Sequence, residues 1–120
     1  MSGKAPTKKN KQRTTALDLI TEQILARIRK QGPVQRVVLF GSRARGEARP
    51  GSDFDILVIK ESDEPRHRRS IPYYEAVADL PVEVEIVIYT PEEVMDWSQV
   101  PEAFVTTALR EGKVLYERKV

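Results

Sequence analysis

The sequence has no cysteine, a single histidine and no long apolar run. Without cysteine there is no disulfide, no thiolate metal site and no cysteine nucleophile, so nothing argues for secretion and a reducing cytoplasm suits the chain. No stretch approaches the roughly 20 apolar residues that span a bilayer, and the N-terminus lacks the apolar core of a signal peptide; a soluble protein with no membrane partner is expected. The lone histidine, His67, sits within Arg66-His67-Arg68-Arg69, where a surface position is a better reading than a base or a ligand.

Acidic residues are missing from the first 13 positions, and this accounts for the net charge of +2. Lys4, Lys8, Lys9, Lys11 and Arg13 contribute +5 there, whereas the other 15 basic and 18 acidic residues sum to −3. Residues 1–13, polar with Gly3 and Pro6, lack the apolar surface that offsets ordering entropy and are expected to form a disordered basic tail. Residues 14–120 are expected to form one mildly acidic domain, long enough for a single core. A basic arm on an acidic body is weak evidence for nucleic-acid binding; a solvated tail is expected over a phosphate-contacting arm, and nucleic acid is not the expected partner.

What is present is a clear alternation of helix and strand signals. From Thr15 the apolar positions Leu17, Ile20, Ile24 and Ile28 recur at helical spacing until Gly32-Pro33. Val34 to Phe40 and Asp55 to Ile59 carry short β-branched runs that suit buried strands. The segment 41–52 between them, rich in turn formers and arginine, is expected to be a polar, exposed connection. A second helix is expected within residues 66–80, delayed or kinked by Pro72. Val82 to Tyr89 alternates, with Glu83 and Glu85 on the face opposite Val84 and Ile86. Thr90-Pro91-Glu92-Glu93 supplies a cap, a first-turn proline and acids for a short helix. A last helix should follow Pro101 and end near Gly112, and Val114-Leu115-Tyr116 should close the sheet as an edge strand. Tyr73, Tyr74, Trp97 and Phe104 are expected as core or partner-facing aromatics, and an exposed edge strand leaves a homo-oligomer open.

Asp53 and Asp55, two apart at the entrance to a strand, leave the same face and can converge on one spot. Their repulsion disfavours such a placement unless a cation lies between them, and hard oxygen ligands suit Mg²⁺ or Mn²⁺. The ordinary alternative is a pair of loop aspartates after Pro50-Gly51. Glu85 offers a third carboxylate from an otherwise apolar strand, where charge is costly unless solvated or paired. If the two strands are neighbours, three acids share one patch; if not, Glu83 and Glu85 simply face water. Register decides between these, and the sequence does not carry it. Gly41-Ser42 follows a buried strand, where glycine permits close backbone approach and the hydroxyl and nearby N–H groups can receive phosphate oxygens; the alternative is a plain turn. Arg43 and Arg45 add fixed positive charge, and one of the two is expected to serve phosphate.

Gly41-Ser42, ten intervening residues and Asp53-Phe54-Asp55 together resemble the signature of the DNA polymerase β-like nucleotidyltransferase superfamily. GSRARGEARPGSDFDILV looks like its minimal, MntA-like branch, which includes antitoxins encoded beside HEPN-domain toxins; the resemblance covers residues 17 to 117. It implies an α/β (α+β) fold with a mixed β-sheet of about four strands packed against helices. It further implies Mg²⁺, as two ions, on Asp53, Asp55 and Glu85 as catalytic and metal residues, and a nucleoside triphosphate, ATP, on Gly41 and Ser42, where the charge of Arg43 and Arg45 completes the expected nucleotide-binding set. The expected reaction passes AMP to a hydroxyl, with a tyrosine of a HEPN-type partner as the acceptor. Relatives usually carry aspartate where this chain has Glu85. That departure raises an alternative: a weakly active or inactive module of the same fold that regulates a partner by binding.

Overall fold

The computed structural model describes residues 15–49 and 51–119; the basic segment 1–13 lies outside the described residues. The first helix opens on a reciprocal cap. The Thr15 hydroxyl accepts the Asp18 N–H at 3.0 Å and the Asp18 carboxylate accepts the Thr15 N–H at 3.2 Å, satisfying two otherwise orphaned donors. Helix α1 (Ala16–Lys30) follows and stops at Gln31, before the positive-φ Gly32. Ile24 and Ile28, one turn apart, are fully buried against the sheet.

Four strands form that sheet: β1 (Arg36–Phe40), β2 (Phe54–Ile59), β3 (Val84–Tyr89) and β4 (Lys113–Glu117). Their spatial order is β3-β2-β1-β4, with β2 and β3 parallel and the other pairs antiparallel, so the expected mixed sheet is present. Side chains alternate between two covered faces. Val37, Leu39, Ile56, Val58, Ile86 and Ile88 pack with α1, while Val38, Leu57, Ile59 and Tyr89 pack with Val105 and Ala108. Burial on both faces is the physical reason that β1 and β2 read as continuous apolar runs. β4 closes the edge, as expected, with Lys113, Val114 and Glu117 exposed.

The parallel connection between β2 and β3 demands a crossover. It is built from two short helices, α3 (Arg66–Arg69) and α4 (Ile71–Val77), separated at Ser70, with Pro72 in the first turn of the second. The proline therefore starts α4, since its missing N–H is free there. Tyr73 enters the core at 2% exposure, and the Tyr74 hydroxyl accepts the Ile86 N–H at 2.9 Å, fastening α4 to β3. His67 is exposed on α3.

After β3, Thr90 and Glu93 form a second capping box that opens α5 (Pro91–Trp97); α6 (Phe104–Glu111) then leads into β4. The connection after β1 departs from expectation. It opens with a one-turn helix, α2 (Ser42–Arg45), terminated by the left-handed Gly46, and Ser42, Arg43 and Ala44 are half-buried rather than exposed. Ala44 packs on the core beneath the turn, so this part of the connection is anchored. Among the described residues no helix is long and apolar enough to cross a membrane.

Arg69 ties the crossover to α5. Its guanidinium donates to both Glu93 carboxylate oxygens, at 2.8 and 3.0 Å, and to the Ile88 carbonyl at 3.2 Å. Hydrogen bonds from Arg69, opposed by burial and aided by the Thr90 backbone, pull the Glu93 carboxyl from 4.5 to about 2. A depressed carboxyl stabilises the fold above its unfolded value, and the contribution fades as pH falls from 4.5 toward 2. Arg69→Met should therefore cost about 1–3 kcal/mol at pH 7. In urea melts the gap from wild type should shrink steadily across that acid window.

Candidate active site

The pairing registers bring three elements to one rung. Phe40, the last residue of β1, lies opposite Asp55 of β2, and Asp55 lies beside Glu85 of β3. All three occupy the face that α5 and α6 cover farther along the strands, as the two-residue alternation from Leu57 and Val87 requires. Asp53 stands two residues before Asp55, just outside the strand. Carboxylate oxygens of Asp53, Asp55 and Glu85 lie within 4.8 Å of one another, so the neighbour relation that the sequence left open is present. Glu83 does not join this group. Its backbone carbonyl accepts the Phe54 N–H at 2.9 Å and its side chain is exposed.

Asp55 is the half-buried member, with Asp53 and Glu85 exposed on either side. Burial raises the Asp55 carboxyl above its ordinary range, and the charges of Glu85 and then Asp53 raise it further; Arg43 and Arg45 offset this only in part. Three convergent acids without a full internal counter-charge fit a divalent cation bound through hard oxygens, which would remove the repulsion the chain itself leaves unbalanced.

Gly41 forms the opposite wall. Its φ of 76° lies where side chains rarely go, and a Cβ there would run into the Asp55 carboxylate. The backbone at the end of β1 thus lies directly against Asp55, and Ser42 follows as the first residue of α2. The two arginines part company. Arg43 donates to the Ser52 carbonyl at 2.7 and 3.2 Å and lies over the Phe54 ring at 4.2 Å, bracing the entrance to β2. Arg45 is exposed, pairs with Glu47 at 2.9 Å, and reaches the rim of a cavity beside Gly41.

That cavity, of about 370 Å³, lies between α6 and the end of β1 and is lined by Phe40, Gly41, Arg45, Phe104, Thr107, Ala108 and Glu111. The α6 residues are spaced i, i+3, i+4, i+7, one face of a helix. Sequence reading missed Phe40, Thr107 and Glu111. The helical stripe was there to be found, but nothing local indicated that it faces an opening beside the acids. Phe104 meets Phe40 edge-to-face at 5.2 Å and stacks near Tyr89 at 6.3 Å.

The family model of the nucleotidyltransferase domain matches residues 21–113, a span that contains Gly41, Ser42 and all three acids. No curated protein matches the sequence. Solved structures do. A chain of a toxin–antitoxin complex with AMP-PNP aligns at 23% identity with a TM-score of 0.58, over 82% of this chain and 73% of that chain. A mutant of the toxin–antitoxin pair MntA-HpeT aligns at 23% identity and a TM-score of 0.56, over the same 82% and 73%. A Sulfolobus solfataricus protein assigned to the nucleotidyltransferases aligns at 20% identity and a TM-score of 0.59, over 82% and 78%. At these identities the likeness is one of fold.

Proposed function

The chain belongs to the nucleotidyltransferase-domain family, and we propose that it transfers AMP from ATP to a hydroxyl on a partner protein, using Mg²⁺. The observation that carries this reading is the convergence of Asp53, Asp55 and Glu85 within 4.8 Å, directly across from the Gly41 backbone. Asp53, Asp55 and Glu85 would hold the cation, for which Mn²⁺ is the natural substitute. When bound, a divalent ion supplies Lewis-acid stabilisation of the phosphoryl and leaving-group oxygens.

The chain's own residues do the rest. Gly41 lets the backbone approach the triphosphate, the Ser42 hydroxyl donates to a phosphate oxygen, and Arg45 contributes charge from the rim. Arg43 acts on the nucleotide indirectly, by keeping the Ser52 turn and the Phe54 ring in place beneath Asp53 and Asp55. The acceptor oxygen attacks the α-phosphorus; the new O–P bond forms as the bond to the bridging oxygen breaks, and pyrophosphate leaves with that electron pair. Glu85, exposed at the open side of the cluster, takes the acceptor's proton.

The likeness of fold to toxin–antitoxin structures supports a toxin as the partner and an antitoxin role for this chain. A tyrosine of a HEPN-type toxin is the acceptor under this reading. The rival, a module that only binds a partner, rests on Glu85 standing where relatives carry aspartate. The extra methylene does not take Glu85 out of the cluster, and this favours transfer.

Calorimetric titration with Mg²⁺–ATP, paired with a pyrophosphate-release assay in the presence of the partner, separates the two. Transfer requires both binding and release; a binding module gives a complex with the partner and no pyrophosphate. Glu85→Gln should lower kcat by about 100-fold or more with ATP affinity nearly unchanged, and Glu85→Asp should keep most activity. Equal rates for wild type and Glu85→Gln would remove Glu85 from the chemistry.

A further inference from the structure

The α5–α6 corner exposes apolar surface that no element of the described chain covers. Met95 is 71% exposed, Trp97 43%, Val100 37% and Phe104 46%, four of the eight large apolar side chains left in solvent among the described residues, within ten positions. Single exposed apolar residues are ordinary, whereas a concentration of them marks a contact surface. The exposed charge that the corner itself contributes is acidic, while Arg66 and Arg69 of α3 are engaged with Glu93 and Arg110 reaches the Pro101 carbonyl. Residues 70–109 contain Glu75, Asp79, Glu83, Glu85, Glu92, Glu93, Asp96 and Glu102 and no lysine or arginine. Glu92, Asp96 and Glu102 are exposed at the corner itself.

Phe104 belongs to both this corner and the cavity beside the acids. Its ring meets Phe40, and the cavity continues along Thr107, Ala108 and Glu111 to Gly41, against the Asp55 carboxylate. At about 370 Å³ the cavity falls within the size of ligand pockets, and Phe40 and Phe104 give it aromatic walls. A polyphosphate nucleotide is poorly matched to the corner itself, where Glu92, Asp96 and Glu102 are exposed, and Gly41 and Arg45 mark the far end of the cavity as the side that meets the triphosphate. A protein segment that is apolar at its centre and basic at its flanks is well matched.

We propose that the α5–α6 corner and the adjoining cavity form the docking surface for the acceptor protein, taking a segment in which a tyrosine is flanked by apolar residues and by lysines or arginines. The tyrosine ring enters the cavity against the touching Phe40 and Phe104 rings, and its hydroxyl points past Gly41 toward Asp55 and Glu85. Flanking apolar side chains cover Trp97 and Val100, and the basic residues meet Glu92, Asp96 and Glu102. The assignment of the segment as an acceptor rests on the transfer reading; the docking surface does not.

Trp97 is the only tryptophan, so its emission reports the corner directly. The full chain is titrated with two synthetic peptides of a dozen residues. One has a central tyrosine with leucines beside it and arginines at both flanks; the other has glutamate at every arginine position. The basic peptide should shift Trp97 emission saturably, and the acidic one should bind at least tenfold more weakly. Met95→Ser and Asp96→Lys should each weaken the basic peptide about tenfold or more while Mg²⁺–ATP affinity, read by calorimetry, stays within twofold. Melting curves confirm that each variant folds.

No response to the basic peptide, equal responses to both peptides, or indifference to Met95→Ser and Asp96→Lys would overturn the proposal. So would a Trp97 shift driven by Mg²⁺–ATP alone, which would place the nucleoside in the cavity, or a self-associated species in sedimentation that Met95→Ser dissolves. Failure of Mg²⁺–ATP to bind while the basic peptide still does would count against nucleotidyl transfer and leave the surface standing.

Discussion

Asp55→Asn should abolish the proposed nucleotidyl transfer, by about 1000-fold or more, and leave the fold intact. The loss corresponds to about 4 kcal/mol of transition-state stabilisation, a reasonable size for disabling a metal-held phosphoryl site. The intact fold follows from the position of Asp55. Its carboxylate sits half-buried between Glu85 and Asp53, and burial and these neighbours all disfavour its charge. An amide of the same shape removes that repulsion without opening a cavity. In a chelator, the melting temperature of Asp55→Asn should therefore equal or exceed that of wild type, while added Mg²⁺ should stabilise only the wild type. A variant that retains transfer, or that melts well below wild type in chelator, would show that Asp55 acts as a structural residue.

Gly41→Ala should damage both stability and activity, unlike Asp55→Asn. The φ of 76° costs an alanine about 1–3 kcal/mol, and the added methyl group meets the Asp55 carboxylate. Moving the backbone away shifts the start of α2 and with it Ser42, which should separate the proposed phosphate and metal halves of the site. Transfer should fall by about 100-fold or more, because misplacing reacting groups by about 1 Å has that effect. Denaturant melts and single-turnover rates measure the two losses separately. Gly46, also at positive φ but with open space around it, supplies the control: Gly46→Ala should show strain alone and keep most of its transfer rate.

Much of this site was legible in the chain. The spacing from Gly41-Ser42 to Asp53 and Asp55, the apolar runs of β1 and β2, and the alternation that sets Glu85 apart from Ile86 are all local patterns. The pairing of Asp55 with Glu85 is not local. It depends on a parallel crossover through α3 and α4, and parallel register is set by tertiary packing that no periodicity records. The different situations of Arg43 and Arg45 were hidden for a similar reason, since Arg43 finds its partners on Ser52 and Phe54, nine or more residues away. The α2 turn was concealed by composition: Gly, Ser and Arg read as loop, whereas the packing of Ala44 makes one turn of helix. Hydrophobic patterning marked Tyr73, Trp97 and Phe104 equally as apolar anchors. Tyr73 found its partners inside the chain, and Trp97 and Phe104 kept much of their surface in solvent. Amphipathicity states that a face wants to be covered, and it is silent on whether the cover belongs to the same chain.

Under the proposed function Asp53, Asp55 and Glu85 form one cation site facing the Gly41-Ser42 turn. The most direct test of that site is anomalous scattering from crystals grown with Mn²⁺ and a non-hydrolysable ATP analogue. A manganese peak is expected about 2.1 Å from oxygens of Asp53 and Asp55, with the triphosphate against Gly41 and Ser42. A nucleotide bound elsewhere, or bound at this turn with no metal on the aspartates, would contradict the proposed function.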